Sequence, residues 1–348
     1  MRISSLLSYA GGFKEAVQEV RQLEQAGLDV VWVPEAYSFD APSAMGYLAA
    51  QTERVTIASG ILPIYTRTPS LLAMTAAGID YLSDGRCMLG LGASGPQVIE
   101  GFHGIPYTSP VKRIREIIEI CRSVWRRDRV QHMGECYQIP LPQDQGTGLG
   151  KPLKLINHPL REDIPIAIAS LGPKSVEMTA ELADAWLPAF YTAEAAGDVW
   201  GDALARGRAR RDPDRPPLEV FAGGAVAIGS GLEALRNLSR PQIALYVGGM
   251  GARSKNFYNQ IFTRSGYGDA AREIQDLYLA GRKKEAEAAI PDEYLERNSL
   301  IGPPEFVRDR LYALRESGVT SLNVGFLGKT VDERVRHCAA LRDIVDSM

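Results

Sequence analysis

Two kinds of hydrophobic pattern alternate along the chain. The first is a short, nearly continuous apolar run, such as Asp29 to Val33, which is typical of a parallel strand buried on both faces. The second places apolar residues at positions i, i+3, i+4 and i+7, as between Phe13 and Ala26, and predicts an amphipathic helix. Gly27 ends this helix. Repeated alternation of strand and helix predicts a parallel sheet with right-handed crossovers.

The alternation yields eight strand candidates. They are Arg2–Leu7, Asp29–Val33, Val55–Leu62, Cys87–Leu91, Ile164–Ser170, Ala185–Pro188, Leu218–Ile228 and Thr320–Gly325. Eight strand–helix units in one chain predict an α/β fold of the (β/α)8 TIM-barrel type. Two stretches interrupt the rhythm, so we expect insertions after strand four, at about 128–163, and after strand seven, at about 232–298. Residues 1–348 then form one barrel domain, with a doubly wound sheet as the alternative fold.

Composition and charge narrow the class of protein. Of the 348 residues, 45% are hydrophobic and 23% are charged, which fits a globular protein with a sizeable core. The formal net charge is −3 and no apolar run approaches ~20 residues, so neither nucleic acid nor a membrane is expected as a partner. The four cysteines and four histidines lack metal-ligand spacing, and no metal site is predicted. The cysteine usage and the lack of signal-peptide features near Met1 lead us to expect a cytoplasmic protein.

A glycine-rich stretch, Arg86 to Gly104, follows the fourth predicted strand. Within it, Gly90 to Gly95 matches G-x-G-x-x-G, the pattern of a dinucleotide-binding turn. That interpretation requires a helix directly after the glycines and an acidic residue about 20 positions on, at the end of the next strand. Prolines and glycines between Pro96 and Pro110 interrupt any such helix. The position about 20 residues after Gly95 falls at Arg115 and Glu116, which lie inside a predicted helix and not at the end of a strand. The Rossmann interpretation is therefore disfavoured.

In a barrel, the same stretch is a loop on the C-terminal face, where active sites of this fold are built. The end of strand two adds Glu35, and the ends of strands three and five add Ser59–Pro63 and Ala169–Pro173. Small residues recur at three strand ends, which predicts that a large planar cofactor lies against the backbone. Pro173 is expected in the first turn of a helix, whose free N–H groups then point at the same face.

Four collinear segments carry a resemblance to a known family. They read GLDVVWVPEAY (27–37), RVTIASGILPIYTRTPSLLAM (54–74), DGRCMLGLGASGPQVIEGFHG (84–104) and IPIAIASLGPKSVEMTAELADAWLP (164–188). On these segments the chain resembles the luciferase-like monooxygenase superfamily, specifically its coenzyme F420 (deazaflavin)-dependent oxidoreductases. The segment GGMGARSKNFYN (248–259) is similar to one in a reductase-like branch. Flavin-dependent members share the fold, so FMN is the alternative cofactor.

The resemblance implies a cofactor site at the barrel mouth, with Glu35 near the reactive ring as the candidate catalytic residue. It also implies a non-prolyl cis peptide at Gly60–Ile61, which forms a bulge behind the ring. The segment 169–172 matches backbone that binds the cofactor's tail and phosphate. Arg253 and Lys255 are candidates for the anionic tail, with a solvated helix start as the alternative. The candidate cofactor-binding residues are Glu35, Gly60, Ile61, Leu62, Gly92, Ala93, Ser94, Gly95, Pro96, Ala169, Ser170, Leu171, Gly172, Pro188, Arg253 and Lys255.

The implied activity is hydride transfer between deazaflavin C5 and a small organic substrate, and the implied assembly is a homodimer. In the sugar-phosphate-oxidising branch, a histidine follows the acid of strand two and a glutamate lies in the strand-four loop. Here Ala36 follows Glu35, the loop reads GPQ at 95–97, and Thr192 stands nearest to the place of a lysine after strand six. The acid–base partners that alcohol oxidation needs are therefore missing.

We consequently predict reduction of an activated C=C or C=N bond, and no activity on glucose 6-phosphate. An FMNH2-dependent monooxygenase that uses O2 is the alternative enzyme, and a non-catalytic cofactor carrier is the alternative from another class. His103, after the glycine-rich loop, has either a structural role or a place beside the substrate. For Tyr65 and Arg67, beyond the strand-three bulge, packing is the favoured role.

Overall fold

A computed structural model of the chain describes residues 1–8, 11–251, 253 and 256–348. Strands alternate with helices throughout these ranges. The strands are β1 Arg2–Leu6, β2 Val30–Val33, β3 Thr56–Ser59, β4 Leu62–Pro63, β5 Cys87–Gly92, β6 His132–Met133, β7 Gln138–Ile139, β8 Ile166–Ala169, β9 Ala185–Leu187, β10 Glu219–Ala222, β11 Ala225–Ile228, β12 Ser299–Gly302 and β13 Ser321–Phe326.

Within the described chain, parallel strands close into a barrel in the order β1-β2-β3-β5-β8-β9-β10-β13. The ring is closed by β1 and β13, where Ile3 lies opposite Leu322. The predicted (β/α)8 TIM barrel is therefore confirmed, and the doubly wound alternative is wrong.

Helices surround the barrel and fill the second insertion. In the described ranges the α-helices are α1 Phe13–Gln25, α2 Ala41–Gln51, α3 Pro69–Leu82, α4 Pro96–Gly101, α5 Pro110–Trp125, α6 Pro173–Leu182, α7 Ala196–Arg208, α8 Arg240–Ala244, α9 Phe257–Phe262, α10 Gly268–Leu279, α11 Lys283–Ala288, α12 Asp292–Arg297, α13 Pro304–Glu316 and α14 Val331–Asp346. Wider π-turns at Leu245–Gly249 and Thr263–Tyr267 precede and follow α9.

Side chains of the barrel strands alternate between two cores, as the period of a strand requires. One set, which includes Val30, Trp32 and Phe221, points into the barrel and forms a cluster of its own. The rings of Trp32 and Phe221 meet edge to face there, with centroids 5.1 Å apart. Val31 and Val33, which alternate with the first set, pack outward against the helices. The same alternation decides which residue of each strand faces the mouth.

Three of the strand predictions differ from the structure. The predicted seventh strand, Leu218–Ile228, is wrong in its extent, because it consists of two strands, β10 and β11. Ser299 to Gly302 form β12, which the sequence pattern does not predict, and β12 pairs with β11 outside the ring. Its four buried residues are too few to produce a recognisable period. The predicted third strand, Val55–Leu62, is also wrong in its extent, because β3 ends at Ser59 and β4 begins at Leu62.

The two insertions lie where the sequence placed them. The first, between α5 and β8, contains an antiparallel hairpin, β6 and β7. The second is helical from α8 to α12 and has its own hydrophobic cluster, which includes Phe262 and Tyr294. The division of the chain into a single domain stays a prediction.

Candidate active site

The glycine-rich stretch lies at the C-terminal end of the barrel wall. All six residues of β5 are buried, and Ser94 then adopts a left-handed φ of 56°. Helix α4 follows and is six residues long, and α5 begins only at Pro110. A dinucleotide-binding turn opens one long helix and lies in an open sheet. The short α4 and the closed barrel therefore exclude the Rossmann geometry.

Glycines in this part of the wall are required by contacts between strands. A Cβ on Gly90 would lie 1.7 Å from the carbonyl oxygen of Ser59, and one on Gly92 would lie 2.9 Å from Cγ1 of Ile61. Both positions exclude a larger residue because the wall is already close-packed there. From the sequence, this recurrence of small residues predicts contact with a ligand. At Gly90 and Gly92, packing within the protein is sufficient to explain it.

The peptide bond between Gly60 and Ile61 is cis, as the resemblance implied. It lies between β3 and β4, at the end of the barrel wall. A Cβ on Gly60 would lie 2.8 Å from Cβ of Trp32, so this glycine approaches the inner core closely. Leu62 pairs with Leu91 directly after the bulge. The bulge is thus fixed on both sides by the strands that it joins.

A glycine that sequence reasoning missed lies near the end of β13. Gly325 is exposed, and its neighbours Val324 and Phe326 both pack outward, so Gly325 belongs to the inner face. A Cβ on Gly325 would meet no described atom within 4 Å, and its φ is not positive. Neither packing nor backbone conformation demands glycine here. The mouth therefore keeps open space beside β13, and the signal for it was an isolated glycine within a strand.

Glu35 follows β2 and forms a bidentate ion pair with Arg67. Nη1 of Arg67 donates to Oε1 of Glu35 at 2.5 Å, and Nη2 donates to Oε2 at 2.8 Å. The backbone N–H of Ala41, at the start of α2, also donates to Oε2 at 2.7 Å. Both side chains are mostly buried, with 8% exposure for Glu35 and 14% for Arg67. The sequence pattern favours packing for Arg67 and does not pair it with Glu35.

In the segment after β8, the hydroxyl of Ser170 faces helix α6 and its carbonyl is engaged by Trp186. Oγ of Ser170 lies 2.9 Å from Oγ1 of Thr179, and the indole N–H of Trp186 donates to the Ser170 carbonyl at 2.9 Å. Gly172 then caps α6, and Pro173 occupies the first turn. The first-turn N–H groups of a helix have no intrahelical acceptor. The helix start that the sequence predicts at Pro173 is thus present, and its role in anion binding stays a prediction.

The second insertion reaches this segment through aromatic side chains. An added Cβ on Gly172 would lie 3.9 Å from Cε1 of Phe257. Phe190, in the loop after β9, has a left-handed φ of 58°, and its ring centroid lies 5.5 Å from that of Tyr258. Pro188 begins the same loop and is half-buried. Sequence reasoning missed this contact because the aromatic residues lie far apart along the chain.

Of the two predicted cationic residues in the insertion, only one can be placed. Arg253 is exposed and forms an ion pair with Asp276. Lys255 lies outside the described residues. The role of Arg253 and Lys255 at the cofactor's tail stays a prediction.

Tyr65 and His103, which were also considered as candidates from the sequence, lie in partly buried surroundings. The hydroxyl of Tyr65 donates to the carbonyl of Thr108 at 2.9 Å, and burial raises the pKa of this phenol well above its usual range. His103 is half-buried, and its Nε2 is buried without a partner in the described part of the chain. Packing is thus the role that the structure gives to Tyr65.

Neither a metal cluster nor a membrane-spanning helix occurs in the described ranges. Over these ranges, no three His, Cys, Asp or Glu side chains converge on a point that could hold a metal ion. None of the helices described is both long enough and apolar enough to cross a bilayer.

The chain matches known proteins in sequence and in fold. The family model described as luciferase-like monooxygenase matches residues 1–321. A Mycobacterium tuberculosis protein, whose name assigns it provisionally to the coenzyme F420-dependent oxidoreductases, is 40% identical over 98% of this chain and 99% of its own. The 5,10-methylenetetrahydromethanopterin reductase of Archaeoglobus fulgidus is 27% identical over 88% of this chain and 87% of its own. The solved coenzyme F420 dependent tetrahydromethanopterin reductase of Methanopyrus kandleri superposes with a TM-score of 0.79 at 18% identity, over 97% of each chain.

These matches place the chain among the oxidoreductases. The chain belongs to the luciferase-like monooxygenase family.

Proposed function

We propose that the protein is a coenzyme F420-dependent oxidoreductase that transfers hydride between deazaflavin C5 and a small organic substrate, in the reductive direction. The observation that carries this proposal is the space that the described residues leave open beside Gly325 on β13, three strands around the ring from β3 and the Gly60–Ile61 bulge that follows it. The names of the 40% identical relative and of the Methanopyrus structure both contain coenzyme F420, which supports this cofactor over FMN.

The residues at the mouth fit a planar cofactor with an anionic tail. Ile61 would press on one face of the ring, and the space inside Gly325 leaves room beside it. The backbone at 169–172 would hold the tail, with Lys174 and the first-turn amides of α6 at its phosphate. The bound deazaflavin supplies a carbon that accepts or donates hydride. The protein's part is to hold that carbon and the substrate in contact and in the correct orientation.

The state of Glu35 supports reduction rather than alcohol oxidation. Both of its carboxylate oxygens already accept hydrogen bonds, from Arg67 and from the backbone of Ala41. A carboxylate in such a pair is not available to take a proton from a substrate hydroxyl. In our proposal Glu35 positions the two mouth loops, and the proton of the reduction comes from water.

Titration of the purified protein with oxidised deazaflavin and with FMN tests the cofactor. We expect quenching of deazaflavin fluorescence with saturable binding, and weaker binding of FMN. Gly325→Leu should weaken deazaflavin binding roughly tenfold, because the added side chain overlaps the ring, and a tenfold change in affinity corresponds to about 1.4 kcal/mol. Gly201→Leu is the matched control, since a Cβ on Gly201 also meets no described atom within 4 Å.

Three results would contradict the proposal. Tight FMN binding without deazaflavin binding would assign the flavin-dependent monooxygenase reaction. Deazaflavin binding without turnover of any acceptor would assign a non-catalytic carrier. Equal affinities of the Gly325→Leu and Gly201→Leu variants would exclude the position that we give to the ring.

We also propose that the protein forms a homodimer in the cytoplasm. A segment that we call the strap, residues 140–160, carries exposed aliphatic side chains. They are Leu141, Leu149, Leu153, Ile156 and Leu160. Leu71 and Met74 of α3, the helix to which Arg161 ties the end of the strap through Asp80, are also exposed. Exposed apolar side chains grouped in this way are typical of protein–protein contact surfaces. All four cysteines are free thiols, in keeping with a reducing compartment.

A further inference from the structure

Exposed aromatic side chains border the mouth on one side. Tyr37 and Phe39 lie in the loop after β2, and Phe102 lies directly after α4. Their exposed fractions are 69%, 88% and 65%, and the ring centroids of Tyr37 and Phe102 lie 6.1 Å apart. Loops from two different strands thus present one aromatic surface beside the candidate site. Exposed apolar groups that cluster at a cleft are typical of ligand-binding surfaces.

A second aromatic group borders the mouth on the side of the second insertion. The ring of Phe190 lies 5.8 Å from that of Tyr246 and 5.5 Å from that of Tyr258, and Phe190 packs against both the barrel core and the insertion core. Phe257, at the start of α9, is 56% exposed. Aromatic faces therefore stand at both edges of the space above the barrel.

The charged groups assigned to this mouth are paired within the protein or, in the case of Lys174, assigned to the cofactor's phosphate. Glu35 pairs with Arg67, and Arg253 pairs with Asp276. A polyanionic substrate would have to break such a pair to gain a counter-ion, at the cost of leaving a carboxylate unpaired. An uncharged substrate leaves both pairs intact and gains the aromatic contacts.

We infer that the substrate is an uncharged, ring-bearing α,β-unsaturated carbonyl compound whose ring packs on Tyr37 and Phe102. This inference rests on the proposed deazaflavin-dependent reduction and names its substrate class. The carbonyl group of such a compound activates its own C=C bond, which suits a site whose carboxylate is already paired. The β carbon gains hydride and the α carbon gains a proton from water, so two C–H bonds replace the π bond. The two electrons come from reduced deazaflavin, which is oxidised.

The test compares (R)-carvone, a neutral ring enone, with fumarate, a dianionic activated alkene, and with glucose 6-phosphate. With the full-length protein and reduced deazaflavin, kcat/KM for carvone should exceed that for fumarate by roughly tenfold or more, and glucose 6-phosphate should not reduce oxidised deazaflavin. Binding without turnover is measured by saturation-transfer NMR of carvone in the presence of oxidised deazaflavin. Phe102→Ser should weaken carvone binding roughly tenfold, whereas Phe102→Leu should retain it.

Tyr81→Ser is the control, because Tyr81 is as exposed as Phe102 (66% against 65%) but lies at the opposite end of α3 from the mouth. A preference for fumarate, or unchanged carvone binding in Phe102→Ser, would overturn the inference. Failure to bind deazaflavin would overturn the proposed function alone. In that case, carvone binding to the protein without cofactor, lost in Phe102→Ser and kept in Tyr81→Ser, would still support the apolar site.

Discussion

The ion pair of Glu35 and Arg67 changes the chemistry expected at the barrel mouth. A glutamate at the end of strand two first suggested a group for proton transfer, but Arg67 engages both of its oxygens. The pair joins the loop after β2 to the loop after β4, and the N–H of Ala41 adds the start of α2. Glu35 therefore organises three segments of the mouth at once, and its charge is balanced before any ligand binds.

Neutralising Glu35 should destabilise the fold. In Glu35→Gln the guanidinium of Arg67 remains buried without a carboxylate, which costs about 3 kcal/mol in the free energy of unfolding. The double variant Glu35→Gln with Arg67→Met removes both charges and should recover part of this loss. Urea denaturation measures both effects.

The control for this experiment is Glu285→Gln, which breaks an exposed pair with Arg282 and should leave the unfolding midpoint unchanged. A Glu35→Gln variant as stable as this control would show that the ion pair of Glu35 and Arg67 does not contribute to the stability of the fold.

The hairpin of β6 and β7 is anchored by one carboxylate of α5. Glu116, 8% exposed, accepts backbone N–H groups of Glu135, Cys136 and Tyr137 at 3.0, 3.1 and 2.8 Å. Nε2 of His132 lies 3.2 Å from the same carboxylate. Burial opposes ionisation of Glu116, but these hydrogen bonds outweigh it and lower the pKa of the carboxyl below its ordinary value of 4.5.

The contribution of Glu116 to stability should depend on pH. A carboxyl whose pKa is lower in the folded than in the unfolded protein stabilises the fold above the unfolded pKa, and this contribution is lost as pH falls through the folded pKa. Glu116→Gln should therefore lower the free energy of unfolding by about 2 kcal/mol at pH 7, and the difference from wild type should shrink below the ordinary value of 4.5. Denaturation at a series of pH values measures this difference, and a difference independent of pH would contradict the assignment.

The sequence predicted most barrel strands but few of the contacts between side chains of different loops. Buried runs such as Val30 to Val33 identified the barrel strands because their neighbours on both faces are apolar. β12 was not predicted because its four residues pair outside the ring, where no alternation of apolar and polar positions distinguishes them. The pairing of Glu35 with Arg67 was also not predicted, since it joins residues 32 positions apart in two loops that have no periodic pattern. Gly325 was overlooked because an isolated glycine in a strand does not by itself distinguish an open space from close packing.

The exposed aliphatic side chains of the strap lie in one segment of the chain and are not scattered singly over the surface. Leu149 is 84% exposed and Ile156 is 90% exposed. Arg161, just after the strap, fixes it to α3 through Asp80, with Nε donating to Oδ2 at 3.1 Å. An apolar surface that is held in place, rather than free to fold away, is suited to a second copy of the chain.

Light scattering at micromolar concentration should therefore give twice the mass of the chain. Leu149→Asp with Ile156→Asp should give the mass of one chain, because burying two carboxylates in the interface is unfavourable. Leu279→Asp, a similar change at the exposed end of α10, should remain dimeric. A wild-type protein with the mass of one chain would exclude the dimer.

Gly325 has a consequence for how such a protein diversifies. The size of most residues around the barrel is dictated by neighbours, as the 1.7 Å approach at Gly90 illustrates, so that mutation there reduces stability. At Gly325 no described neighbour sets the size, and a larger side chain changes the shape of the cleft and little else. A change of residue here therefore alters how the cleft holds the deazaflavin ring without requiring a compensating change in the packing around it. Relatives whose cofactor ring lies elsewhere in the mouth are expected to carry bulkier residues at this point of strand eight.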